Sequence, residues 1–402
     1  YPETVNIRGY KPNTSVHLGQ LKRAIKMLSR AEKPLFLAGG GINIAKANEN
    51  FKKIVETTNI PVVTTIMGRG AIPTDHPLFI GNLGMHGAYA ANKAVSECDL
   101  LFSIGTRFND RITGKLHAFA PNAQIVHIDI DTGSISRNVH VDVPIVADAF
   151  EATEKMMEYV EEKDTKEWLA LIDEWKEEYP LVAKKGDKLT PQYILQTINE
   201  VFDEAIVVTD VGQHQMFTTQ YIEINEHEKL LTSGGLGTMG YGFPGAIGAQ
   251  IGNPDTPVIM ISGDGGMQMN IQEFATAVLQ ELPVILCVFN NTYLGMVRQW
   301  QKLFYGKRYA MTCLRSGKAC EGKCGVEGCE CPPYTPDFVK LAESYGAKGI
   351  RVFDTEDVAA AFETAKQNKK GPTLIEFIID PEDLVYPMVK PGGALEELIM
   401  DC

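Results

Sequence analysis

The 402-residue sequence predicts an α/β protein with two doubly wound parallel-sheet domains joined by a charged helical linker. Short, continuous apolar runs bounded by Gly, Pro or Asp are typical of strands buried on both faces of a parallel sheet. These runs alternate with segments of helical spacing, which indicates helices on both sides of each sheet. The alternation occurs in both halves of the chain, so we expect one such domain in each half.

The first domain is predicted over residues 1–175. Its expected strands are PLFLAGGGI, PVVTTIM, LLFSIG, QIVHIDID and VPIVAD, and its helices include ANENFKKIVETTN and GAYAANKAVSECD. From Glu151 onward the sequence is charged and helical, which is most simply a solvated helix face. We place a linker at 176–188, after this segment.

The second domain is predicted over residues 189–402, with expected strands AIVVTDVG, KLLTS, VIMISGDG, PVILCVFNN and TLIEFII. Its expected helices include PQYILQTINEVF, GFPGAIGAQIG, IQEFATAVLQE, PDFVKLAESYG and DVAAAFETAKQN. Asn270 and Glu273 have the spacing of a capping box at the start of the third of these helices. Both domains therefore have the strand and helix order of a Rossmann-like fold.

The composition argues against several classes of protein. Apolar residues make up 44% and charged residues 22% of the chain, as in an ordinary globular protein. The net charge of −13 argues against a nucleic-acid partner, which needs clustered Lys and Arg. No apolar run reaches about 18 residues, so no membrane-spanning helix is expected. The beginning of the chain lacks the apolar core of a signal peptide, and we expect a cytoplasmic protein.

The beginning of the chain and its cysteines are both unusual. The chain opens on YPETVNIRGYKPNTS without an initiator methionine, which resembles the middle of a longer chain; a processed terminus is the alternative. A reducing compartment favours free thiols or a metal site over disulfides, although the cysteine spacing matches no zinc template well. Five of the eight cysteines crowd into a predicted insertion at 313–331, and three are scattered: Cys313, Cys320, Cys324, Cys329 and Cys331 in the insertion, and Cys98, Cys287 and Cys402 elsewhere.

A lone carboxylate, Asp264, stands between glycines at the end of the predicted strand VIMISGDG. The next predicted strand ends in Asn290 and Asn291, and a strand–helix–strand crossover makes the two strands parallel. Neighbouring strands lie roughly 4.8 Å apart. Asp264 and Asn291 can therefore share a hard cation such as Mg²⁺, which also favours phosphate oxygens. The glycines and the following helix N-terminus suit a diphosphate; the alternative is that Asp264 only caps a loop.

The sequence GDG, followed by NNTYLGMVRQW, resembles the thiamine-diphosphate motif. In that motif the aspartate, the second asparagine and a backbone carbonyl two residues further on hold the metal, which implies Asp264, Asn291 and Tyr293 here. The likeness extends to VGQHQM, TSGGLGTMGYGFPGAIGAQ, MVRQWQKLFYGKRY, LGMHG and GTRFNDRITGK. Together these motifs resemble the catalytic large subunit of acetohydroxyacid synthase, also called acetolactate synthase. The resemblance covers nearly the whole chain outside the cysteine-rich segment.

The resemblance implies a site for thiamine diphosphate and Mg²⁺ in the second domain. Met239 would hold the cofactor in its bent form and so counts among the catalytic residues. From spacing alone, core packing is the simpler interpretation of Met239 and Met296. The segment GGLGTMG also matches a dinucleotide fingerprint formally, but no acidic residue follows at the expected place. The implied cofactor contacts are Gly212, Gln213, His214, Gly237, Met239, Gly265, Gly266, Gly295 and Met296.

The resemblance also implies that the first domain binds FAD, without a need for redox turnover. A glycine turn alone is a weak signal, because it can serve tight packing only. Met67 and Asn109 depart from the glutamine and aspartate common in the family, which affects fine FAD contacts and not the domain. The implied contacts are Gly39, Gly40, Gly41, Asn43, Thr65, Ile66, Leu83, Gly84, Met85, His86, Gly105, Thr106, Arg107, Arg111, Asp129, Ile130 and Asp148.

Two residues carry implied roles toward the substrates. Arg111 would bind the carboxylate of a 2-ketoacid, since a guanidinium matches a carboxylate bidentately; a surface ion pair is the alternative. Trp300 would favour 2-ketobutyrate over pyruvate as the second substrate, because one buried methylene is worth roughly 1–3 kcal/mol. A tryptophan that only packs in the core is the alternative for Trp300.

The implied function is carboligation of pyruvate with a second 2-ketoacid to 2-acetolactate or 2-aceto-2-hydroxybutyrate, in branched-chain amino acid biosynthesis. Family members are homodimers or homotetramers, often with a small regulatory subunit. The family glutamate that activates the cofactor belongs to an N-terminal pyrimidine-binding domain, which precedes the segment resembling YPETVNIRGYKP. We therefore expect this chain to be a fragment, or one part of a split enzyme, that does not turn over alone.

Three alternatives stay open at this point. One is another thiamine-dependent enzyme, such as glyoxylate carboligase or a 2-ketoacid decarboxylase, although GTRFNDR with MVRQW disfavours a simple decarboxylase. The second is a nicotinamide-dependent dehydrogenase that uses the glycine turns. The third is a non-catalytic fragment that binds a cofactor and docks onto partners.

Overall fold

A computed structural model describes residues 7–9, 11–183, 188–314 and 335–401. Within these ranges the chain divides into two compact units. The first unit contains the described residues up to 180, together with 225–227 and 387–401. The second unit contains 181–224 and the described residues of 228–386.

The first unit is built on a six-stranded sheet in the order β3-β2-β1-β4-β5-β6. Every pairing in this sheet is parallel, so all six carboxyl ends lie at one edge. The sheet confirms the predicted doubly wound architecture of the first half. The strands are β1 (Pro34–Ala38), β2 (Val62–Thr64), β3 (Phe79–Asn82), β4 (Leu100–Ile104), β5 (Gln124–Asp129) and β6 (Val143–Val146).

Helices between these strands bury one apolar face each, as their helical spacing requires. Phe51 of the third helix packs edge-on against Phe36 of β1, whose ring also meets Phe102 of β4, with centroid distances of 5.7 and 5.6 Å. These rings lie at the centre of the apolar core of the unit. The helices are α1 (Leu18–Arg30), α2 (Gly40–Ile44), α3 (Asn48–Thr58), α4 (Tyr89–Glu97), α5 (Asp110–Thr113), α6 (Ala149–Met156) and α7 (Lys166–Glu178), with 3₁₀ turns at Ile66–Gly68 and Leu116–Ala118.

The charged stretch after Glu151 is only partly the solvated face that the sequence suggested. It forms the end of α6 and all of α7, and α7 buries Trp168 and Ile172. The Trp168 indole Nε1 donates to the carbonyl oxygen of Pro34 at 3.0 Å. The sequence analysis missed this buried face because Trp168 and Ile172, one helical turn apart, stand among many Glu and Lys residues.

The last described segment differs from the predicted domain limits, which assigned all of 189–402 to the second domain. Residues 387–401 make their contacts within the first unit: Val389 N donates to Met85 O at 2.8 Å, and Lys115 N donates to Gly393 O at 2.9 Å. The segment also pairs with itself as a short antiparallel ladder, Met388–Val389 against Leu398–Ile399.

The second unit repeats the architecture with the strand order β11-β12-β10-β9-β7-β8, again all parallel. This confirms the prediction for the second half of the chain. The strands are β7 (Ile206–Thr209), β8 (Leu230–Thr232), β9 (Val258–Gly263), β10 (Ile285–Asn290), β11 (Lys348–Val352) and β12 (Thr373–Ile378).

The second sheet carries a separate apolar core on each face, because successive side chains of a strand point to opposite sides. In β9, Ile259 and Ile261 belong to one core, and Val258 and Met260 belong to the other. The covering helices are α8 (Pro191–Val201), α9 (Gln213–Tyr221), α10 (Gly242–Gly252), α11 (Asp264–Met267), α12 (Phe274–Leu279), α13 (Gly295–Phe304), α14 (Phe338–Ser344) and α15 (Val358–Gln367), with 3₁₀ turns at His227–Lys229, Ile271–Glu273 and Thr355–Asp357.

The predicted capping box at Asn270 and Glu273 is wrong. The Asn270 side chain makes no cap to the turn that follows it. Its Nδ2 instead donates to the carbonyl oxygen of Gly240 at 2.6 Å, while a Glu273 carboxylate oxygen accepts from the Thr276 hydroxyl at 2.9 Å. A contact distant in sequence therefore replaces the local one.

Among the described residues, none of the helices has both the length and the apolar content that crossing a membrane requires.

Candidate functional site

The candidate site lies at the carboxyl ends of β7, β9 and β10 in the second unit. The connections reverse direction between β7 and β9, and ligands of open α/β sheets bind in the crevice at such a point. A cavity of about 110 Å³ opens there. Residues singled out from the sequence line it: Gly212, Gln213, His214, Met239, Asp264, Gly265, Gly266, Asn291, Tyr293, Gly295 and Met296.

Asp264 follows β9 directly and is 2% exposed. One carboxylate oxygen, Oδ1, accepts from Gly265 N at 2.8 Å, but the other, Oδ2, is buried without a hydrogen-bond partner. Burial raises the pKa of Asp264 to about 7. An ionised oxygen cut off from water is costly unless a cation or proton satisfies it. An unpartnered carboxylate oxygen on a residue that lines a cavity with several glycines fits a divalent cation.

The two asparagines at the carboxyl end of β10 have different roles. Both ends of the Asn290 side-chain amide are bonded within the fold: Nδ2 donates to Glu376 Oε1 at 2.7 Å, and Oδ1 accepts from Thr292 N at 3.1 Å. Asn291 lines the cavity, and its Oδ1 accepts from Tyr293 N at 2.9 Å. Directly after them the chain turns through Thr292, whose φ of 63° is left-handed and rare for a β-branched residue. Of the two asparagines, only Asn291 is among the cavity residues.

The loop after β10 is held from two sides. Its backbone pairs with a following segment, where Leu294 N donates to Thr312 O at 2.8 Å. The Arg298 guanidinium, 2% exposed, lies between the rings of Tyr293 and Tyr309, at 4.7 and 4.6 Å from their centroids. Arg298 also forms an ion pair with Glu382. Tyr293, whose carbonyl the metal motif uses, thus sits in a fixed loop.

Glycines leave room that other residues would fill. A Cβ placed on Gly295 would lie 2.0 Å from Gln213 Oε1 and 2.8 Å from Asn291 Nδ2. A Cβ on Gly265 would lie 2.7 Å from a Leu294 methyl group. At both positions the cavity wall is bare backbone, which suits the close approach of an anion such as a diphosphate.

His214 contributes a neutral ring to the cavity wall. It is 6% exposed, and burial lowers its pKa to about 4. Its Nε2 is buried without a partner. A neutral imidazole beside the cavity can donate or accept one hydrogen bond without adding a charge.

Asp210 was missed by the sequence analysis. It is 1% exposed, and its carboxylate accepts from Gly240 N at 3.1 and 2.9 Å and from Gly242 N at 3.0 Å. These bonds hold the loop that carries Met239 into the cavity wall. The only available signal was a polar residue near the end of the predicted strand AIVVTDVG, and many strands end in this way.

Two residues predicted for this site do not line the cavity. Gly237 lies in the loop after β8 with a φ of 68°. Trp300 packs edge-on against Phe304, with ring centroids 5.7 Å apart. Asp383 has a buried, unpartnered carboxylate oxygen like that of Asp264, but it is not among the cavity residues either.

The residues implied for FAD follow the strand ends of the first unit. Each of its six strands carries at least one of them at or just after its carboxyl end. They fall into the sets Gly39, Gly40, Gly41 and Asn43 after β1; Thr65 and Ile66 after β2; Leu83, Gly84, Met85 and His86 after β3; Gly105, Thr106, Arg107 and Arg111 after β4; Asp129 and Ile130 at β5; and Asp148 after β6.

The glycine turn of the first unit is filled by the chain itself. A Cβ on Gly39 would lie 2.1 Å from Gly105 O, and one on Gly41 would lie 2.5 Å from Gly105 Cα. These glycines are therefore required for the packing of two backbone turns, whatever else they contact.

Several polar side chains of this edge are also used by the fold. Asn43 Nδ2 donates to Met67 O at 2.8 Å and to Arg69 O at 3.0 Å. Asp148 caps α6 by accepting from Phe150 N at 2.8 Å. The Thr106 hydroxyl, in contrast, is buried without a partner beside the glycine turn. Burial lowers the pKa of His86 to about 4, and Arg111 is exposed, with Nη1 4.0 Å from the Met85 sulfur.

The cysteine-rich segment falls mostly outside the described residues, including Cys320, Cys324, Cys329 and Cys331, and Cys402 does too. Cys98 and Cys287 are buried free thiols. In the part of the chain that the structure describes, no three His, Cys, Asp or Glu side chains come together as metal ligands.

Two family profiles match this fold and site. The C-terminal TPP-binding domain of thiamine pyrophosphate enzymes matches residues 210–377, and their central domain matches residues 21–156. The first range begins at Asp210, directly after β7, extends through most of β12 and contains Asp264 and Asn291. The chain is thus built from two domains of the thiamine pyrophosphate enzymes.

Curated relatives narrow this class. The chain is 43% identical to a probable acetolactate synthase large subunit of Methanococcus aeolicus, with 99% of the chain and 66% of that protein covered. It is 42% identical to the probable large subunit of Methanocaldococcus jannaschii, with 99% and 66% covered. It is 38% identical to the acetolactate synthase isozyme 3 large subunit of Escherichia coli, with 99% and 68% covered. The chain belongs to the acetolactate synthase large-subunit family and spans about two thirds of the length of these relatives.

Proposed function

We propose that this chain forms the metal- and diphosphate-binding part of an acetolactate synthase. That enzyme joins pyruvate to pyruvate or 2-ketobutyrate, which gives 2-acetolactate or 2-aceto-2-hydroxybutyrate for branched-chain amino acid biosynthesis. The observation that carries the proposal is the buried, unpartnered Oδ2 of Asp264 in a glycine-lined cavity shared with Asn291. Bound thiamine diphosphate would supply the ring on which 2-ketoacids lose carbon dioxide and form a new carbon–carbon bond.

In the proposed site, Asp264, Asn291 and the Tyr293 carbonyl hold Mg²⁺, a cation that prefers a few protein oxygens together with phosphate oxygens. Gly265, Gly266 and Gly295 admit the diphosphate. His214 and Gln213 give neutral hydrogen-bonding groups, so the negative charge of the diphosphate is balanced by the cation.

The position of Met239 is determined by the loop whose Gly240 and Gly242 N–H groups donate to Asp210. The Met239 side chain is 38% exposed and lines the cavity. Its thioether can pack against a ring without competing for hydrogen bonds. We assign it the support of the cofactor in a bent shape, as the family resemblance implies.

The first unit is proposed to bind FAD without redox turnover. Its strand order, β3-β2-β1-β4-β5-β6, is the dinucleotide-binding order, with β1 and β4 at the point of reversal. The Thr106 hydroxyl beside that point has a free capacity to hydrogen-bond. Arg111 is proposed for a 2-ketoacid carboxylate and Trp300 for second-substrate choice, both from the resemblance.

We also propose a cellular location and an oligomeric state for the enzyme. We assign it to the cytoplasm, as a homodimer or homotetramer with or without a small regulatory subunit. A thiamine-dependent carboligase acting on glyoxylate is the second candidate function, since it would use the same metal site.

Product analysis tests the proposed function. The protein, purified without truncation from its source, is given Mg²⁺, thiamine diphosphate, FAD, pyruvate and 2-ketobutyrate. We expect 2-aceto-2-hydroxybutyrate to exceed 2-acetolactate, because an aromatic wall at Trp300 favours the extra methylene. Trp300→Leu should lower this preference by roughly tenfold or more. Trp175→Leu, which removes a half-buried tryptophan of the first unit, is the control.

Three results would count against this proposal. Consumption of glyoxylate with no product from pyruvate would favour the second candidate. Equal product ratios for the Trp300→Leu and Trp175→Leu proteins would remove the role of Trp300. Reaction without added thiamine diphosphate, in protein stripped of cofactors, would contradict the function itself.

A further inference from the structure

Gln299 of α13 is completely buried, yet it does not line the cavity. Its side chain pairs with both backbone groups of Val385: Nε2 donates to Val385 O at 3.0 Å, and Oε1 accepts from Val385 N at 2.9 Å. A backbone N–H can only donate and a carbonyl can only accept. The two contacts therefore determine which end of the Gln299 amide carries the oxygen.

This orientation passes to Gln213. Gln299 Oε1 also accepts from Gln213 Nε2, at 2.8 Å. The same Nε2 donates to Asp383 O at 3.3 Å. Both acceptors lie on the NH₂ end of Gln213, so its oxygen is directed the other way.

The oxygen of Gln213 then faces Asn291. Asn291 Nδ2 donates to Gln213 Oε1 at 3.4 Å, and Asn291 Oδ1 accepts from Tyr293 N at 2.9 Å. A flipped Asn291 amide would place its NH₂ against the Tyr293 N–H and its oxygen against the Gln213 oxygen. Both contacts would become repulsive, and an NH₂ group cannot bind a cation.

We propose that Gln299 is a positioning residue for the metal site: through Gln213 it holds the Asn291 amide with its oxygen, not its nitrogen, available to the cation shared with Asp264. The inference rests on the proposed metal and diphosphate site. The backbone N–H and carbonyl of Val385 orient the Gln299 amide. Gln299 in turn orients the Gln213 amide, which contacts the metal ligand Asn291. Groups that orient a metal ligand commonly affect affinity by 10- to 100-fold.

Two substitutions of Gln299 separate this role from a merely structural one. Gln299→Glu keeps an oxygen that accepts from Gln213 Nε2 and from Val385 N, whether the carboxyl is ionised or not. Gln299→Met has nearly the same shape but can neither accept nor donate with comparable strength. Both variants lose stability through altered contacts with Val385, but only the Met variant loses the orientation of Gln213.

The test measures binding of Mn²⁺ in the presence of thiamine diphosphate by electron paramagnetic resonance, on the whole chain. We expect Gln299→Met to bind Mn²⁺ about tenfold more weakly than the parent. Gln299→Glu should stay close to the parent, although its melting temperature falls. Gln367→Met, at an exposed position late in α15, controls for the substitution type and should leave binding unchanged.

Equal Mn²⁺ affinity of the Met and Glu variants would overturn the role of Gln299. A parent chain that binds no Mn²⁺ with thiamine diphosphate would instead contradict the proposed site itself. If Gln299→Met does not fold, NMR of the parent decides the matter: the side-chain NH₂ of Gln213 should exchange slowly with water. Fast exchange of that group would overturn the proposal.

Discussion

The carboxyl edges of the two sheets have the same construction but leave different groups unpaired. In the first unit, backbone turns at Gly39 and Gly105 fill each other, and the partnerless group beside them is the neutral Thr106 hydroxyl. In the second unit glycines line a cavity, and the partnerless atoms of its wall include a carboxylate oxygen of Asp264 beside the neutral His214 Nε2. The sheet topology therefore determines where a ligand can bind, whereas the unpaired group determines which charge on the ligand the site favours.

Replacing the unpaired group on each edge should have the largest effect. Asp264→Asn removes the anionic ligand and should weaken Mn²⁺ binding with thiamine diphosphate by roughly 100-fold or more, since even indirect partners of a metal site cost 10- to 100-fold. Thr106→Val, the matched change in the first unit, should leave Mn²⁺ binding unchanged. Titration calorimetry measures both. Equal losses in the two variants would show that the comparison is mistaken.

The same ligand predicts a pH dependence. Burial raises the pKa of Asp264 to about 7, above its ordinary value of 3.8. Below pH 7 the metal-free folded chain holds a proton that Mn²⁺ must displace, so apparent affinity should fall by up to about tenfold per pH unit. Above pH 7 it should level off. For Asp264→Asn this dependence should disappear.

A smaller effect distinguishes the two sets of glycines. Gly39→Ala puts a Cβ against the backbone of Gly105, which cannot move aside, and should lower the free energy of unfolding by about 3 kcal/mol. A Cβ at Gly295 has side-chain atoms of Gln213 and Asn291, not backbone, as its nearest neighbours, so Gly295→Ala displaces the amides of the metal site. It should cost about 1 kcal/mol of stability but weaken Mn²⁺ binding about tenfold.

Urea unfolding and Mn²⁺ titration of these two variants give the comparison. We expect opposite rankings: Gly39→Ala should have the larger effect on stability, and Gly295→Ala the larger effect on metal binding. The same ranking in both measurements would mean that the second set of glycines, like the first, serves packing alone.

Much of this architecture could be predicted from the sequence, because buried parallel strands such as VIMISG and ILCVFN are continuous apolar runs. The strands that were missed lack this pattern. β3 (FIGN) is short and contains Gly and Asn, and β11 (KGIRV) is an edge strand with two charged residues and partial exposure. Edge strands need not be apolar on both faces.

The site was predictable as far as its motifs are local. Asp264 and Asn291 end neighbouring strands, so parallel pairing alone brings them together. Asp210 and Gln299 were missed because their partners lie 30 and 86 residues away along the chain. The predicted capping box is wrong for the same reason, because the Asn270 amide donates to Gly240 O, 30 residues away along the chain.

The most direct test of the account is an anomalous diffraction map of crystals grown with Mn²⁺ and thiamine diphosphate. We predict one strong manganese peak bound by a carboxylate oxygen of Asp264, Oδ1 of Asn291 and the carbonyl oxygen of Tyr293, with diphosphate oxygens completing its shell. A cofactor bound in this cavity with no manganese between Asp264 and Asn291 would contradict the account.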